Sequence, residues 1–304
     1  MSHEAGRSLP QSDLRSPRFS RRSLLRGGLI GAASLALYAG EIERHWIELK
    51  RIRIAIPDLP EAFDGFRIAQ LSDIHLDFWT EPFFLRRAVR QINALKPDAV
   101  FLTGDYITEF MRSPTFPLRA AWQCAEILQS LTCARIYGVM GNHDALSNAN
   151  EITRALTAHG VQVLRNASLP IEQNGARLWL AGLDDPLDGK PDLNKTIPER
   201  IRGLRDEPVL LLCHEPDYVD TVLRQEAGQS VRLTLSGHTH GGQVRMPFYG
   251  PLTLPLMGEK YVEGLFQLGG MQLYVNRGLG TVGVPFRFDC PPEITEITLH
   301  RAMA

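Results

Sequence analysis

Five short segments carry nearly all the side chains in this sequence that could do chemistry together. They are Asp73-Ile74-His75, Gly104-Asp105, Gly141-Asn142-His143-Asp144, His214, and Gly237-His238-Thr239-His240. Five of the nine histidines fall in them, whereas His3, His45, His159 and His300 stand alone and read as ordinary hydrogen-bonded polar residues. Imidazole, carboxylate and amide oxygen in one set suit borderline or hard divalent ions such as manganese, iron, zinc or cobalt. No thiolate accompanies them, which argues against a structural zinc site. Seven ligands, namely Asp73, His75, Asp105, Asn142, His214, His238 and His240, are too many for one ion and suit two ions sharing a bridging carboxylate. Two ions roughly 3.5–4 Å apart can clamp a phosphate, and a hydroxide held between them is a nucleophile at neutral pH. The expected cofactors are therefore two divalent metal ions, and the expected substrate is a phosphoester.

Each segment follows an apolar run that reads as a strand. Residues 66–71 lead into Asp73, 99–102 into Asp105, 136–140 into Asn142, 209–213 into His214 and 231–235 into His238. Further strands are expected over 46–56, where apolar and basic residues alternate, and over 178–183, 272–275 and 294–299. Helices are expected over 81–95, stopped by Lys96-Pro97, and over 118–131 and 151–158. This is an α/β chain, and in open α/β sheets ligands bind beyond the carboxyl ends of strands. Asp184-Asp185, beside Pro186 and Gly189, reads as a turn rather than an added carboxylate pair. Asp77 and Asp144 each read also as a solvated loop or capping residue. No internal repeat is present.

Taken in order, the five segments resemble the five blocks of the calcineurin-like metallophosphoesterases, over roughly residues 46–300. His214-Glu215-Pro216, residues 237–243 and Asn276-Arg277-Gly278-Leu279-Gly280 are similar to a bacterial subgroup with twin-arginine or membrane-anchored N-termini. The resemblance implies two mixed β-sheets packed as a sandwich and flanked by helices, a four-layer αββα fold. It implies that Asp73, His75 and His240 hold one metal, that Asn142, His214 and His238 hold the other, and that Asp105 bridges. His143 would stand near the leaving-group oxygen as a general acid or phosphate stabiliser, with Asp144 orienting its ring. The reaction implied is in-line attack on phosphorus by a metal-bridging hydroxide.

The N-terminus reads as an address. Residues 19–26, Phe-Ser-Arg-Arg-Ser-Leu-Leu-Arg, precede a stretch at 27–40 rich in Gly, Ala and Leu, and the combination resembles a twin-arginine export signal. Fourteen apolar residues are short for a bilayer, where about 20 are usual. No clean cleavage site precedes Glu41, so the segment is expected to be cleaved poorly or kept as an anchor. The chain divides on this reading into a signal or anchor at 1–40 and one metallophosphoesterase domain at 41–304. The export machinery is then a partner, and the location is periplasmic or cell-envelope.

Charge agrees with this division. The 304 residues carry a net charge of −1, but the first 40 hold six arginines against Glu4 and Asp13. The rest is mildly acidic, so no nucleic-acid partner is expected. The four cysteines lack metal-ligand spacing and read as small buried hydrophobes, with a Cys124–Cys133 disulfide left open for an exported domain.

Two apolar stretches near the blocks, Phe78-Trp79 with Phe83-Phe84 and residues 246–257, read either as packing or as a rim that meets lipid or the membrane surface. The leading expectation is a phosphodiesterase or pyrophosphatase acting on an envelope or lipid-related phosphoester. An alternative is hydrolysis of a UDP-2,3-diacylglucosamine-type pyrophosphate of lipid A synthesis, although that substrate is cytoplasmic and the signal points outward. A metal-binding interaction module without catalysis is a second alternative, but no block has lost a residue. A protein phosphatase would need a peptide groove that nothing in the sequence identifies.

Overall fold

A computed structural model describes residues 20–109, 115–204 and 206–302. Its strands are β1 (Glu48–Ile56), β2 (Arg67–Leu71), β3 (Ala99–Leu102), β4 (Ile136–Gly138), β5 (Gln162–Val163), β6 (Ala167–Gln173) and β7 (Ala176–Gly182). They continue with β8 (Val209–Leu212), β9 (Val231–Ser236), the short pair β10 (Arg245–Met246) and β11 (Gly250–Pro251), then β12 (Gly264–Leu268), β13 (Met271–Val275) and β14 (Glu293–Arg301). The α-helices are α1 (Arg21–Leu37), α2 (Pro82–Leu95), α3 (Thr115–Leu128), α4 (Asn142–Ala158), α5 (Leu193–Thr196) and α6 (Val219–Arg224).

Two six-stranded mixed sheets result, in the orders β1-β14-β2-β3-β4-β5 and β12-β13-β9-β8-β7-β6. The strands that lead to the five blocks are parallel neighbours, β2-β3-β4 in one sheet and β8-β9 in the other. Buried on both faces, β3 and β8 are unbroken apolar runs, as central parallel strands must be. One apolar layer, including Ile68, Phe101, Leu210 and Leu233, lies between the sheets. A second packs α2, α3 and α4 against the first sheet, and a third covers the outer face of the other sheet with α5 and α6. The expected four-layer αββα sandwich is the architecture found.

Register decides where the blocks meet. Leu71 pairs with Leu102, Leu102 with Gly138, and Leu212 with Leu235, so the strands end level within each sheet. Helix α2 starts with Pro82 at its first turn and buries Phe84, Leu85, Ala88, Val89 and Ile92. It stops at Lys96, in the left-handed region before Pro97. Helix α4 departs from expectation. It begins inside the third block at Asn142, nine residues before the expected start, and is broken at Asn148 by an extended residue (φ −177°). Strands β5, β6 and β12 were not expected either.

The N-terminal apolar stretch is longer than its composition suggested. Helix α1 continues through a π-helical turn (Tyr38–Ile42) and a 3-10 turn (Glu43–His45), giving a helical segment Arg21–His45 long and apolar enough to cross a membrane. Residue 40, the expected boundary, lies inside it. Residues 1–19 of the expected address lie outside the described residues.

Candidate metal centre and active-site cleft

Backbone geometry marks the site first. Asp73, His75, Asp105, His238 and His240 all have φ between 46° and 72°, the left-handed region that side chains other than glycine's rarely adopt. Strain of this kind persists where surrounding structure holds it in place, and it gathers at functional sites. Here the surroundings are hydrogen bonds between blocks. The N–H of Asp73 donates to Gly104 O and that of His75 to Asp105 O, both at 3.0 Å. The N–H of His238 donates to both carboxylate oxygens of Asp73, at 2.9 and 3.0 Å. Gly237 permits this approach, since a Cβ there would collide with Ser72 Oγ and Asp73 Oδ2.

The histidine tautomers follow from their partners. His214 Nδ1 lies 2.6 Å from the carbonyl of Thr103, which can only accept, so Nδ1 carries a proton and Nε2 is the nitrogen turned to the site. His238 Nε2 donates in the same way to Leu256 O at 2.9 Å, leaving Nδ1 bare. His75 Nδ1 lies 3.2 Å from Thr108 Oγ1, which itself donates to Asp77 Oδ2 at 2.7 Å, so its Nε2 is bare as well. A second partner on the far ring nitrogen is how proteins orient a metal-ligating imidazole. Thr108, Asp77 and the carbonyls of Thr103 and Leu256 thus support the site. Sequence reasoning left Asp77 as a solvated or capping residue and missed the other three; Asp77 does also cap the turn at Trp79 and Thr80.

Among the described residues, the donor atoms converge in three groups, of which two share no residue and the third, His75, Asp105 and His143, links them. Asp73, His75 and His240 form the first, and Asp105, His214 and His238 the second. In the first, His75 Nε2 is 3.1 Å from His240 Nε2, which is 3.4 Å from Asp73 Oδ1. In the second, His214 Nε2 is 3.1 Å from Asp105 Oδ2, and His238 Nδ1 is 3.2 Å from Asn142 Oδ1. Asp105 Oδ2 is also 3.4 Å from His75 Nε2, so this one oxygen stands between the groups. His214 Nε2 is buried with no hydrogen-bond partner. Lone pairs facing lone pairs in a water-poor pocket call for positive charge between them.

Electrostatics supports the same conclusion. Burial pushes His75 down to about 3, His238 down to about 4, and His240 well below its ordinary value, so all three are neutral donors near pH 7. Burial raises Asp73 to about 6. Burial would also lower His214, but Asp105 and Asp73 outweigh it and hold this ring well above its usual value. The carboxylates thus draw a positive charge into the place where the donor atoms meet. The seven side chains fit divalent cations by type and charge, and His75 and His238 also by tautomer.

His143 lies beside this cluster, half-buried, with its ring edge-on to that of His75 at 4.9 Å between centroids. Its Nδ1 accepts the backbone N–H of Glu109 at 3.3 Å, which leaves the proton on Nε2. Asp144 does not orient it. The Asp144 carboxylate is fully buried and accepts three backbone N–H groups, from Asp105 and Gly141 on Oδ2 and from Tyr106 on Oδ1, at 2.8–3.0 Å. A carboxylate in the first turn of α4 points back at the loops that precede it, so Asp144 ties the second block to the third.

A family profile described as calcineurin-like phosphoesterase matches residues 66–242, a span that holds all seven donors. The chain belongs to that family. It is a metal-dependent phosphoester hydrolase. It is 36% identical to the uncharacterized metallophosphoesterase YkuE of Bacillus subtilis, covering 93% of this chain and 98% of the relative. It is 31% identical to phosphodiesterase YaeI of Escherichia coli over 92% and 99% of the two chains. It is 27% identical to UDP-2,3-diacylglucosamine pyrophosphatase LpxG of Chlamydia trachomatis over 85% and 91%.

The hydrolase site opens into a cleft of about 1040 Å³ with Asp105, Asn142, His143, His238 and His240 at its floor. Of the two apolar stretches singled out in the sequence, only 246–257 lines it. Phe78 and Phe83 are exposed but lie elsewhere, and Phe84 is core. Asp184 pairs with Arg165, and Asp185 accepts the N–H groups of Leu187 and Asp188, the turn expected there. His45, His159 and His300 are hydrogen-bonded away from the site, and His3 lies outside the described residues. All four cysteines are free thiols.

Proposed function

We propose that the chain is a two-metal phosphodiesterase or pyrophosphatase acting on an envelope or lipid-related phosphoester. The observation that carries this reading is the pair of donor groups sharing Asp105 Oδ2 at the floor of an apolar cleft. Asp73, His75 and His240 would hold one cation, Asn142, His214 and His238 the other, and Asp105 would bridge them. Bound divalent cations supply Lewis-acid charge to phosphoryl oxygens and lower the pKa of water. The chain's own part is to fix those donors, to exclude bulk water from the buried rings, and to present the Nε2–H of His143 towards the phosphate or the departing oxygen.

Turnover of bis-4-nitrophenyl phosphate and 4-nitrophenyl phosphate, with metal analysis of protein from its own host, tests the reading. Diester turnover with two metals per chain is expected. One metal per chain, or turnover of the monoester alone, overturns it.

A second reading, hydrolysis of a UDP-2,3-diacylglucosamine-type pyrophosphate, is favoured by the likeness to LpxG along most of both chains. Release of a lipid monophosphate from that substrate would select it. For location, the Ser20-Arg21-Arg22 sequence and the helical segment Arg21–His45 support twin-arginine export with the segment kept as a membrane anchor.

A further inference from the structure

Helix α1 does more than precede the domain. Ala32, Leu35, Ala36 and Ala39 recur at the spacing of one helix face, and that face is a wall of the active-site cleft. The rest of the lining comes from residues 246–255 and 282–288, among them Leu252, Leu254 and Phe286.

The wall formed by the helix is fastened. The N–H of Arg287 donates to Ala39 O at 3.0 Å, and that of Cys290 to buried Glu43 at 2.7 Å. Arg44 donates to Trp79 O and to Glu81 at 3.0 and 3.2 Å. Gly40 packs so close to the Phe286 ring that a Cβ would stand 2.9 Å from it. Contacts of four residues, Ala39, Gly40, Glu43 and Arg44, therefore hold the foot of the helix on the domain.

The cleft offers a ligand little hydrogen bonding above its floor. Gln243 is already committed to Val282 and Val284, and Thr239 to Val262 O. A sugar or nucleotide in the upper cleft would lose hydration with few partners in return. Next in sequence to lining residues Pro247 and Pro255, Phe248, Tyr249 and Leu256 are exposed, as are Leu25, Leu29 and Ile30 on α1. Exposed apolar surface of this kind next to a helix able to cross a bilayer marks a membrane-facing region.

We propose that the cleft is a chain-binding groove with α1 as one wall, receiving the long alkyl or alkenyl chain of a phosphoester drawn from the membrane that holds α1. The proposal rests on the hydrolase reading for the phosphate end alone. It follows that the N-terminal segment is part of the substrate site and is retained in the working protein. The floor engages the phosphate, and the groove takes over the chain from the lipid, an exchange between two apolar surroundings.

The test uses full-length, metal-loaded protein in phosphatidylcholine nanodiscs. Equilibrium binding of dodecylphosphonate is measured, with binding to empty discs subtracted, alongside turnover of 4-nitrophenyl dodecyl phosphate and 4-nitrophenyl methyl phosphate. Ala36→Trp places an indole in the groove from the helix side, and Leu252→Asp places a charge in the lining from residues 246–255. Partition into the disc is the same for every variant, so a change between variants reports the groove. Each substitution is expected to weaken dodecylphosphonate binding and to lower the dodecyl-to-methyl preference in kcat/KM, both by at least fivefold. Unchanged dodecylphosphonate affinity in Ala36→Trp overturns the groove, as does protein from host membranes whose intact mass lacks the first 40 residues. Groove-dependent binding without turnover of either ester would instead uphold the groove and remove the hydrolase reading.

Discussion

The Nε2 atoms of His75 and His240 face each other at 3.1 Å. Burial keeps both rings neutral near pH 7, and Thr108 takes the Nδ1 proton of His75, so a bare nitrogen is aimed at its neighbour. A cation bound to both nitrogens would stabilise this contact further and would couple folding to metal.

Chelation is therefore expected to lower the thermal midpoint, and refilling with manganese or zinc to restore it. A ligand at about 100 times its Kd stabilises by about 2.7 kcal/mol. A chain of this size shifts by about 2–4 °C per kcal/mol, so a fall of about 5–10 °C is expected by calorimetry. An unchanged midpoint after verified metal removal would count against a shared metal centre.

Metal uptake should weaken in acid. Burial raises Asp73 to about 6, so below that pH the metal-free carboxyl is protonated and a cation must displace the proton. The metal concentration for half-loading is expected to rise as pH falls through about 6, by about tenfold per unit for one competing proton. Titration between pH 5 and 7 measures this, and a flat profile would remove Asp73 from the metal set.

His143→Ala should keep its metal and lose turnover by about 10²- to 10⁴-fold, the range for a positioned proton donor. Asp105→Ala should lose metal and turnover together, because its carboxylate lies against rings of both donor groups. Metal content and kcat measured on the same preparations separate the two roles. Normal turnover in His143→Ala would exclude that ring from the reaction.

Asp144→Asn discriminates between tying loops and orienting a ring. An amide oxygen can replace only one of the two carboxylate oxygens that accept N–H groups from Asp105, Tyr106 and Gly141. Leaving a buried donor unpaired costs about 1–3 kcal/mol, so the thermal midpoint should fall. The pH dependence of the remaining activity should keep its shape. A shifted profile with an unchanged midpoint would restore Asp144 as the group that orients His143.

Residue types and their order marked the candidate donor set. Asp73, His75, Asp105, Asn142, His214, His238 and His240 are short-range patterns at the ends of apolar runs, and such runs are legible because central strands are buried on both faces. The stop at Lys96-Pro97 was legible for an equally local reason. Of the edge strands, β1 was legible by its alternation of apolar and basic residues, but β5, β6 and β12 were not. In β6, which carries Pro170, and in β12, burial is mixed, so no apolar run marks them.

Only the tertiary structure decided which nitrogen each histidine offers, because that depends on partners far along the chain. Thr103 lies 111 residues from His214, and Thr108 lies 33 from His75. It also turned Asp144 away from His143, since α4 begins at Asn142 and directs that carboxylate back to its own N-terminus. Above all, it brought α1 to the cleft. An apolar helix near the N-terminus is evident from composition, but the wall it forms depends on Arg287 and Cys290, which reach it only after the sheets have closed.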